Sequence, residues 1–132
     1  MIKYAVECKN VSKNFGKTMA LSDINLNFEK DKIYGLLGRN GAGKSTLLNI
    51  VTAQIFPSNG VVKIFGETPY ENDRALRNVC IVKESGMFLK DVNVGDSLDI
   101  ASRFYPNWDK NLAESLIKEF ELDRKKRLIT FP

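Results

Sequence analysis

One stretch of the chain combines glycine, lysine and hydroxyl residues at a spacing suited to binding phosphate. Gly38 and Gly43 are separated by four residues, and Lys44 and Ser45 follow directly, which is the pattern of a phosphate-binding loop. Glycines allow a backbone to approach an anion closely, and a helix that begins there adds the positive end of its dipole. The pattern predicts that Lys44 reaches the β- and γ-phosphates of a nucleotide, that Ser45 ligates Mg²⁺ and that Thr46 donates to the α-phosphate.

The flanking sequence predicts the strand–loop–helix context that this loop requires. The apolar run at residues 33–37 indicates a buried parallel strand before the loop. The residues after it predict a helix with one apolar side, formed by Leu47, Leu48, Val51 and Ile55. The alternative is a glycine-rich turn that joins a strand to a helix and binds nothing. We interpret the stretch as a nucleotide site whose contacts are Gly38, Arg39, Asn40, Gly41, Ala42, Gly43, Lys44, Ser45 and Thr46.

Other segments of the N-terminal part are predicted to be strands. Apolar and polar residues alternate at residues 4–8 and 24–28, which indicates two half-buried strands. Residues 10–17, between them, are predicted to form a polar loop. Residues 61–66 read as a strand that ends in glycine, and the continuous apolar run at residues 79–82 predicts a second buried strand.

The last third of the sequence has a helical pattern. Leu98, Ala101 and Phe104 form one apolar stripe, which Pro106 ends. Asn107 is predicted to cap a second helix. The apolar positions of that helix are Leu112, Ala113, Leu116, Ile117 and Phe120.

Composition limits the class of protein. The 132 residues suffice for one domain. The net charge of +4 is mild and the basic residues are interspersed with acids, so no nucleic-acid surface is expected. No apolar run approaches the length that spans a bilayer, and the first residues contain no signal-peptide core. Cys8 and Cys80 lie alone in apolar runs, which predicts buried reduced thiols in a cytosolic protein, and the lack of histidine excludes His-based catalysis and His-ligated metals.

Several stretches together resemble the nucleotide-binding subunit of ATP-binding cassette (ABC) transporters. The Gly-x-Asn-Gly-Ala-Gly-Lys-Ser-Thr form of the loop is typical of cassettes rather than of small GTPases. The resemblance implies an α/β fold, a P-loop NTPase core with an antiparallel β arm at about residues 1–86 and part of a helical subdomain at about residues 87–132. It covers nearly the whole chain but only the N-terminal part of the family domain. The stretches that carry it are residues 11–17, 20–26, 35–48 and 57–62.

The resemblance implies roles for two residues outside the loop. Phe15 matches the aromatic position that stacks on adenine, and the alternative is an ordinary core residue. Glu84 stands where the family has a glutamine. A carboxylate there is a ligand for Mg²⁺, together with Ser45, or a contact of the attacking water, but it adds negative charge beside the γ-phosphate. The alternative is an exposed loop acid. Lys44 is the implied contact to the transferred phosphate.

The resemblance also implies cofactors, partners and a location. ATP and Mg²⁺ are the expected cofactors. A transmembrane permease subunit is expected to meet the segment at about residues 87–122, with Met87, Phe88 and Tyr105 as contacts. A second ATP-binding subunit is expected across a dimer, and no nucleic acid is expected as a partner. The expected location is the cytoplasm, at the inner face of the cell membrane through the permease.

Three family elements are absent from these 132 residues: the Leu-Ser-Gly-Gly-Gln signature, an apolar Walker B strand ending in Asp-Glu, and a switch histidine. Because positioning and electrostatics supply most of the rate of phosphoryl transfer, we expect the chain alone to be a nearly inactive ATPase. The missing strand is expected to leave residues 33–37 and 79–82 with unpaired edges. Alternatives remain open: a module that binds nucleotide without turnover, a short form that docks on a partner cassette or permease, and a cassette ATPase of nucleic-acid repair or translation.

Overall fold

The structure, a computed structural model, describes residues 3–83 and 91–128. The chain divides into two compact units, Met1–Ile81 and Val82–Pro132. The first unit contains, in chain order, β1 (Tyr4–Phe15), β2 (Thr18–Glu29), α1 (Lys44–Val51), β3 (Asn59–Ile64) and α2 (Asp73–Leu76). The second unit contains α3 (Val94–Phe104) and α4 (Lys110–Glu119).

The sheet of the first unit is antiparallel, with the strand order β2-β1-β3. β1 and β2 form a long hairpin, and β3 pairs with the other edge of β1. The strands predicted at residues 4–8 and 24–28 are confirmed as parts of β1 and β2, and the strand predicted at residues 61–66 is confirmed with its bounds moved towards the N-terminus.

The polar loop predicted at residues 10–17 is wrong, because β1 continues to Phe15 and the turn is confined to Gly16-Lys17. Bulges let the strand accept this polar sequence. Asn10 has a φ of 51° at one of the register shifts between β1 and β2, and its side-chain amide donates a 2.8 Å hydrogen bond to the Asp23 carboxylate. An unpaired, kinked position is thus held by side-chain hydrogen bonds.

The core of the first unit combines residues of the sheet with one side of α1. The predicted apolar side of this helix is partly wrong, since α1 ends at Val51 and Ile55 lies outside it. Ile50 is fully buried, whereas Leu48 is exposed. Cys8 is buried, as predicted. The buried cluster consists of Cys8, Val11, Leu21, Leu47, Ile50, Val51, Val62, Ile64 and Ala75.

The two apolar runs predicted as buried parallel strands are not strands in this structure. Residues 33–37 and 79–82 have no strand assignment. Ile33 and Leu37 are almost fully exposed, and Cys80 is exposed, contrary to its predicted burial. A continuous apolar run is buried when strands pair with it and helices cover it. Within the part of the chain that the structure describes, neither run pairs with the three strands of the sheet.

Side-chain caps begin both helices of the second unit. The Asn93 carboxamide oxygen accepts a 2.8 Å hydrogen bond from the backbone N–H of Asp96 at the start of α3. The Asp109 carboxylate accepts a 2.9 Å hydrogen bond from the N–H of Leu112 at the start of α4. The prediction that Asn107 caps this helix is therefore wrong. The capping residue is the aspartate two positions later, which also places a negative charge at the positive end of the helix dipole.

The apolar sides of these helices differ from the predicted stripes. Phe104 at the end of α3 is exposed, and so are Leu112 and Phe120 in the α4 region. The half-buried apolar positions of α4 are instead Ala113 and Ile117. In the described segments, no helix combines the length and the apolar character that crossing a bilayer requires.

Candidate phosphate-binding site

The phosphate loop lies directly before α1, which begins at Lys44. Gly43 is the N-cap residue and has a φ of 90°, in the left-handed region that glycine adopts without strain. No side chain of the described residues caps this helix, and its first turn contains no acidic residue. The N–H groups of the first turn are therefore left for an external anion, which the helix dipole also attracts.

A cavity of about 260 Å³ opens at this helix end. Most of the residues that were predicted from the sequence as nucleotide contacts line this cavity, together with one residue of β2 that was not predicted. The Ser45 side chain is exposed there, whereas Lys44 and Thr46 are half-buried. The cavity is lined by Ala20, Asn40, Gly41, Gly43, Lys44, Ser45 and Thr46.

The other predicted contacts within the loop, Gly38, Arg39 and Ala42, do not line the cavity but shape the loop. The Lys44 ammonium donates hydrogen bonds of 2.6 Å to the Gly38 carbonyl oxygen and of 2.8 Å to that of Arg39. The Ala42 N–H donates to the Arg39 carbonyl oxygen over 3.1 Å. A phosphate in the cavity would offer Lys44 charged acceptors, and charge-assisted hydrogen bonds are the stronger kind.

Ala20 forms the wall of the cavity that the sequence did not predict. It is the extra residue of a bulge in β2, where the register with β1 shifts. A β-carbon at Gly43 would lie 2.6 Å from the Ala20 carbonyl oxygen and 2.7 Å from Cδ2 of Leu21. Only glycine fits against this strand. The residue types around Ala20 carry no signal of the contact, because it depends on the register of two strands.

Phe15 is the last residue of β1 and pairs with Thr18 across the hairpin turn. Its side chain is 51% exposed, so the alternative that it is a core residue is wrong. The Lys13 ammonium nitrogen lies 5.1 Å from the centroid of its ring. The ring is thus available for stacking. Its partner across the turn, Thr18, lies two residues before Ala20, which lines the cavity. The stacking role itself stays a prediction.

The residues at the cavity suit Mg²⁺ that arrives with a nucleotide. No cluster of three acidic, cysteine or histidine side chains that could hold a metal occurs among the described residues. The exposed Ser45 hydroxyl would offer one oxygen ligand at the cavity, and protein-bound Mg²⁺ commonly takes its other ligands from phosphates and water. Glu84, the other predicted metal ligand, lies outside the described residues, as do Met87 and Phe88.

The chain is similar in sequence to ATP-binding proteins of transporters. A family model described as "ABC transporter" matches residues 21–130, which include the whole phosphate loop. The bacitracin transport ATP-binding protein BcrA of Enterococcus faecalis is 33% identical over 130 residues, covering 98% of this chain and 42% of that protein. The ABC transporter ATP-binding protein YtrB of Bacillus subtilis is 30% identical over 122 residues, covering 92% of this chain and 42% of that protein. The chain thus spans less than half the length of these relatives.

Solved structures confirm the predicted fold class. The chain matches the ATP-binding subunit of an ABC transporter with a TM-score of 0.86 and 21% identity, over 97% of this chain and 56% of that one. It also matches a dimeric ATP-binding cassette in a post-hydrolysis state, bound to ADP and Pi, with a TM-score of 0.77, over 96% of this chain and 63% of that one. With a family match over most of its length and a phosphate loop at the start of α1, the chain belongs to the ABC transporter family of ATP-binding proteins.

Proposed function

We propose that this chain is the nucleotide-binding portion of an ABC transporter ATP-binding subunit, which couples ATP binding and hydrolysis to transport across a membrane. One observation carries the proposal. Lys44, Ser45 and Thr46 line a cavity of about 260 Å³ at the start of α1, together with residues of the glycine-rich loop. A cationic side chain, two hydroxyls and uncapped N–H groups around one cavity form a site for a polyphosphate.

Each group of the loop has a task in this proposal. Lys44 exchanges the carbonyl oxygens of Gly38 and Arg39 for oxygens of the β- and γ-phosphates. Ser45 directs its hydroxyl oxygen to Mg²⁺, which neutralises charge that develops on the phosphates. Thr46 donates to the α-phosphate, and the N–H groups of the loop take the remaining oxygens.

Two residues outside the loop complete the proposed nucleotide site. The ring of Phe15 stacks on adenine, and stacking on a flat ring discriminates little between bases. Glu84 contacts Mg²⁺ or the attacking water. The support for Phe15 is its exposed ring at the end of the hairpin that adjoins the loop, and the support for Glu84 is its place in the sequence.

Transport requires partners, which we propose from the family. A transmembrane permease subunit meets the second unit, for which we propose the segment at about residues 87–122. A second ATP-binding subunit completes the hydrolytic site across a dimer, and the assembly lies at the cytoplasmic face of the membrane. The dimeric relative bound to ADP and Pi supports the dimer by analogy. Since the 132 residues include no signature, Walker B strand or histidine, the chain by itself binds Mg-ATP but hydrolyses it at or near background.

Titration with a fluorescent ATP analogue tests the site. Lys44→Ala removes charge-assisted hydrogen bonds to phosphate, and we expect the dissociation constant to rise about 10- to 100-fold. Lys32→Ala, which removes an equal charge from an exposed position outside the cavity, is the matched control and should bind like the wild type. Equal affinities of the Lys44 and Lys32 variants would contradict the assignment. Phosphate release at about 1 s⁻¹ or faster, in proportion to a purified chain, would contradict the predicted inactivity.

A further inference from the structure

Lys13 occupies a specific place between the hairpin tip and the segment that follows α1. Its ammonium nitrogen donates a 2.8 Å hydrogen bond to the Phe56 carbonyl oxygen and lies 5.1 Å from the centroid of the Phe15 ring. The side chain is half-buried, whereas the neighbouring Lys17 is exposed. A lysine with one backbone acceptor and one aromatic neighbour has far less rotational freedom than a solvated one, so this charge is held in place.

The backbone of the hairpin tip is tied to the same segment. The Ser58 N–H donates to the Ser12 carbonyl oxygen over 2.8 Å, and the Asn14 N–H donates to the Ser58 hydroxyl oxygen over 3.0 Å. These two hydrogen bonds fix the strand on both sides of Lys13. Phe15 itself pairs with Thr18 across the turn, and its ring is 51% exposed. In the described residues, the Lys13 ammonium is a charged group that lies over this ring.

A cation over one face of an aromatic ring is attracted to that face, so a base would stack on the opposite face. A ring that is already oriented loses less conformational entropy when a base stacks on it, so binding is tighter than for a freely rotating ring. The hydrogen bond to the Phe56 carbonyl links Lys13 to the segment that follows α1. The Phe56 ring stacks on Tyr70, with 4.5 Å between the ring centroids. Tyr70 in turn hydrogen-bonds the Ile50 carbonyl oxygen at the end of α1.

We propose that Lys13 is a positioning residue for the nucleotide base: it holds the Phe15 ring with one face closed by its ammonium group and the other face open for stacking. The inference rests on the proposed function, in which Phe15 stacks on adenine. Lys13 acts through the ring and does not contact the phosphates. Its effect is therefore specific to ligands that have a base.

The test compares ATP with inorganic triphosphate as ligands of the whole 132-residue chain. Lys13→Met keeps the aliphatic stem but removes the ammonium, and we expect it to weaken ATP binding about 3- to 10-fold while triphosphate binding changes as little as in the exposed control Lys17→Met. Lys13→Arg retains a cation that donates to a carbonyl and stacks on a ring, so it should bind ATP nearly as the wild type does. In a Phe15→Ala background, Lys13→Met should have no further effect on ATP binding.

The outcomes separate the positioning role from the stacking role. If Phe15→Ala weakens ATP binding but Lys13→Met matches Lys17→Met, Phe15 stacks and the proposal for Lys13 is wrong. If Phe15→Ala leaves ATP binding unchanged, the stacking proposal fails and the Lys13 proposal fails with it. If Lys13→Met weakens ATP and triphosphate equally, or still weakens ATP in the Phe15→Ala background, Lys13 acts on the phosphates or on the fold, which also overturns positioning.

Discussion

The Ala20 carbonyl oxygen lies so close to Gly43 that a β-carbon there would be only 2.6 Å away. This contact joins the β1–β2 hairpin, which carries Phe15 at its end, to the loop that opens α1. A base-stacking ring and a phosphate site must keep a constant spacing to bind the two ends of one nucleotide. In the proposed nucleotide site, the bulge in β2 at Ala20, which lies against Gly43, would help to keep this spacing.

Replacing Gly43 should destabilise the chain more than replacing Gly41. Both glycines have positive φ, 90° and 83°, so alanine costs about 1 kcal/mol of conformational strain at either position. A β-carbon at Gly41 meets no atom within 4 Å, whereas at Gly43 it meets the Ala20 backbone. We expect Gly43→Ala to lower the free energy of unfolding by about 1–3 kcal/mol more than Gly41→Ala does. Urea unfolding measures the free energy of unfolding of both variants. Equal losses would show that the hairpin does not exclude a β-carbon at position 43.

Tyr70 should stabilise the end of α1 through its hydroxyl group. Its oxygen lies 3.1 Å from the Ile50 carbonyl oxygen and 3.3 Å from that of Ile55. Tyr70→Phe keeps the ring but removes this donor. Because the Ile50 carbonyl oxygen still accepts from the Ala53 N–H, we expect a loss of about 1 kcal/mol in the free energy of unfolding.

The matched control is Tyr34→Phe, because the Tyr34 hydroxyl accepts from the Glu29 N–H at a more exposed site. This variant should lose less than about 0.5 kcal/mol. If Tyr70→Phe unfolds at the same urea concentration as Tyr34→Phe, the hydroxyl contributes nothing to the helix end.

The loop was predictable from sequence because its chemistry depends on residue types at a fixed spacing, and Lys44, Ser45 and Thr46 do meet at one cavity. The half-buried strands were predictable from alternation. The course of β1 to Phe15 was not, because bulges let polar residues continue a strand. Ala20 was missed because strand register decides its contact with Gly43. The buried strand predicted from the apolar run at residues 33–37 was wrong, because the burial of a strand depends on its pairing partners and not on the run itself.

Alkaline pH should destabilise the chain through Cys8. Burial raises the pKa of its thiol from 9.0 to about 11, and the side chain is only 2% exposed. Between these values the unfolded chain loses the thiol proton while the folded chain keeps it. The unfolded state then binds fewer protons, so the free energy of unfolding falls as pH rises through this range and is constant, as far as this group is concerned, below pH 9.

Cys8→Val, which keeps an apolar side chain of similar size in a strand, should flatten that decline between pH 9 and 11. Urea unfolding at pH 7, 9 and 11 compares the variant with the wild type. A decline of the same steepness in both would rule out Cys8 as its cause. Partial burial also raises the pKa of the half-buried Tyr70 hydroxyl to about 12, so Tyr70 should prolong the decline above pH 10 in both proteins by the same reasoning.

Finally, we expect the 132-residue chain to self-associate through residues 33–37. Ile33 and Leu37 are almost fully exposed, and none of the strands in the described sheet pairs with this segment. Exposed apolar backbone of this kind pairs with other chains, since pairing satisfies its N–H and C=O groups and removes apolar surface from water.

The double variant Ile33→Lys, Leu37→Lys adds two charges that such pairing would have to bury, so it should shift the chain towards the monomer. Met19→Lys, Val61→Lys adds the same charge at exposed apolar residues of the paired sheet and should leave association nearly unchanged. Light scattering on chromatographed samples measures the mass against the 14.9 kDa of one chain. A wild-type chain that stays monomeric across micromolar concentrations and melts cooperatively would show that residues 33–37 do not need a partner.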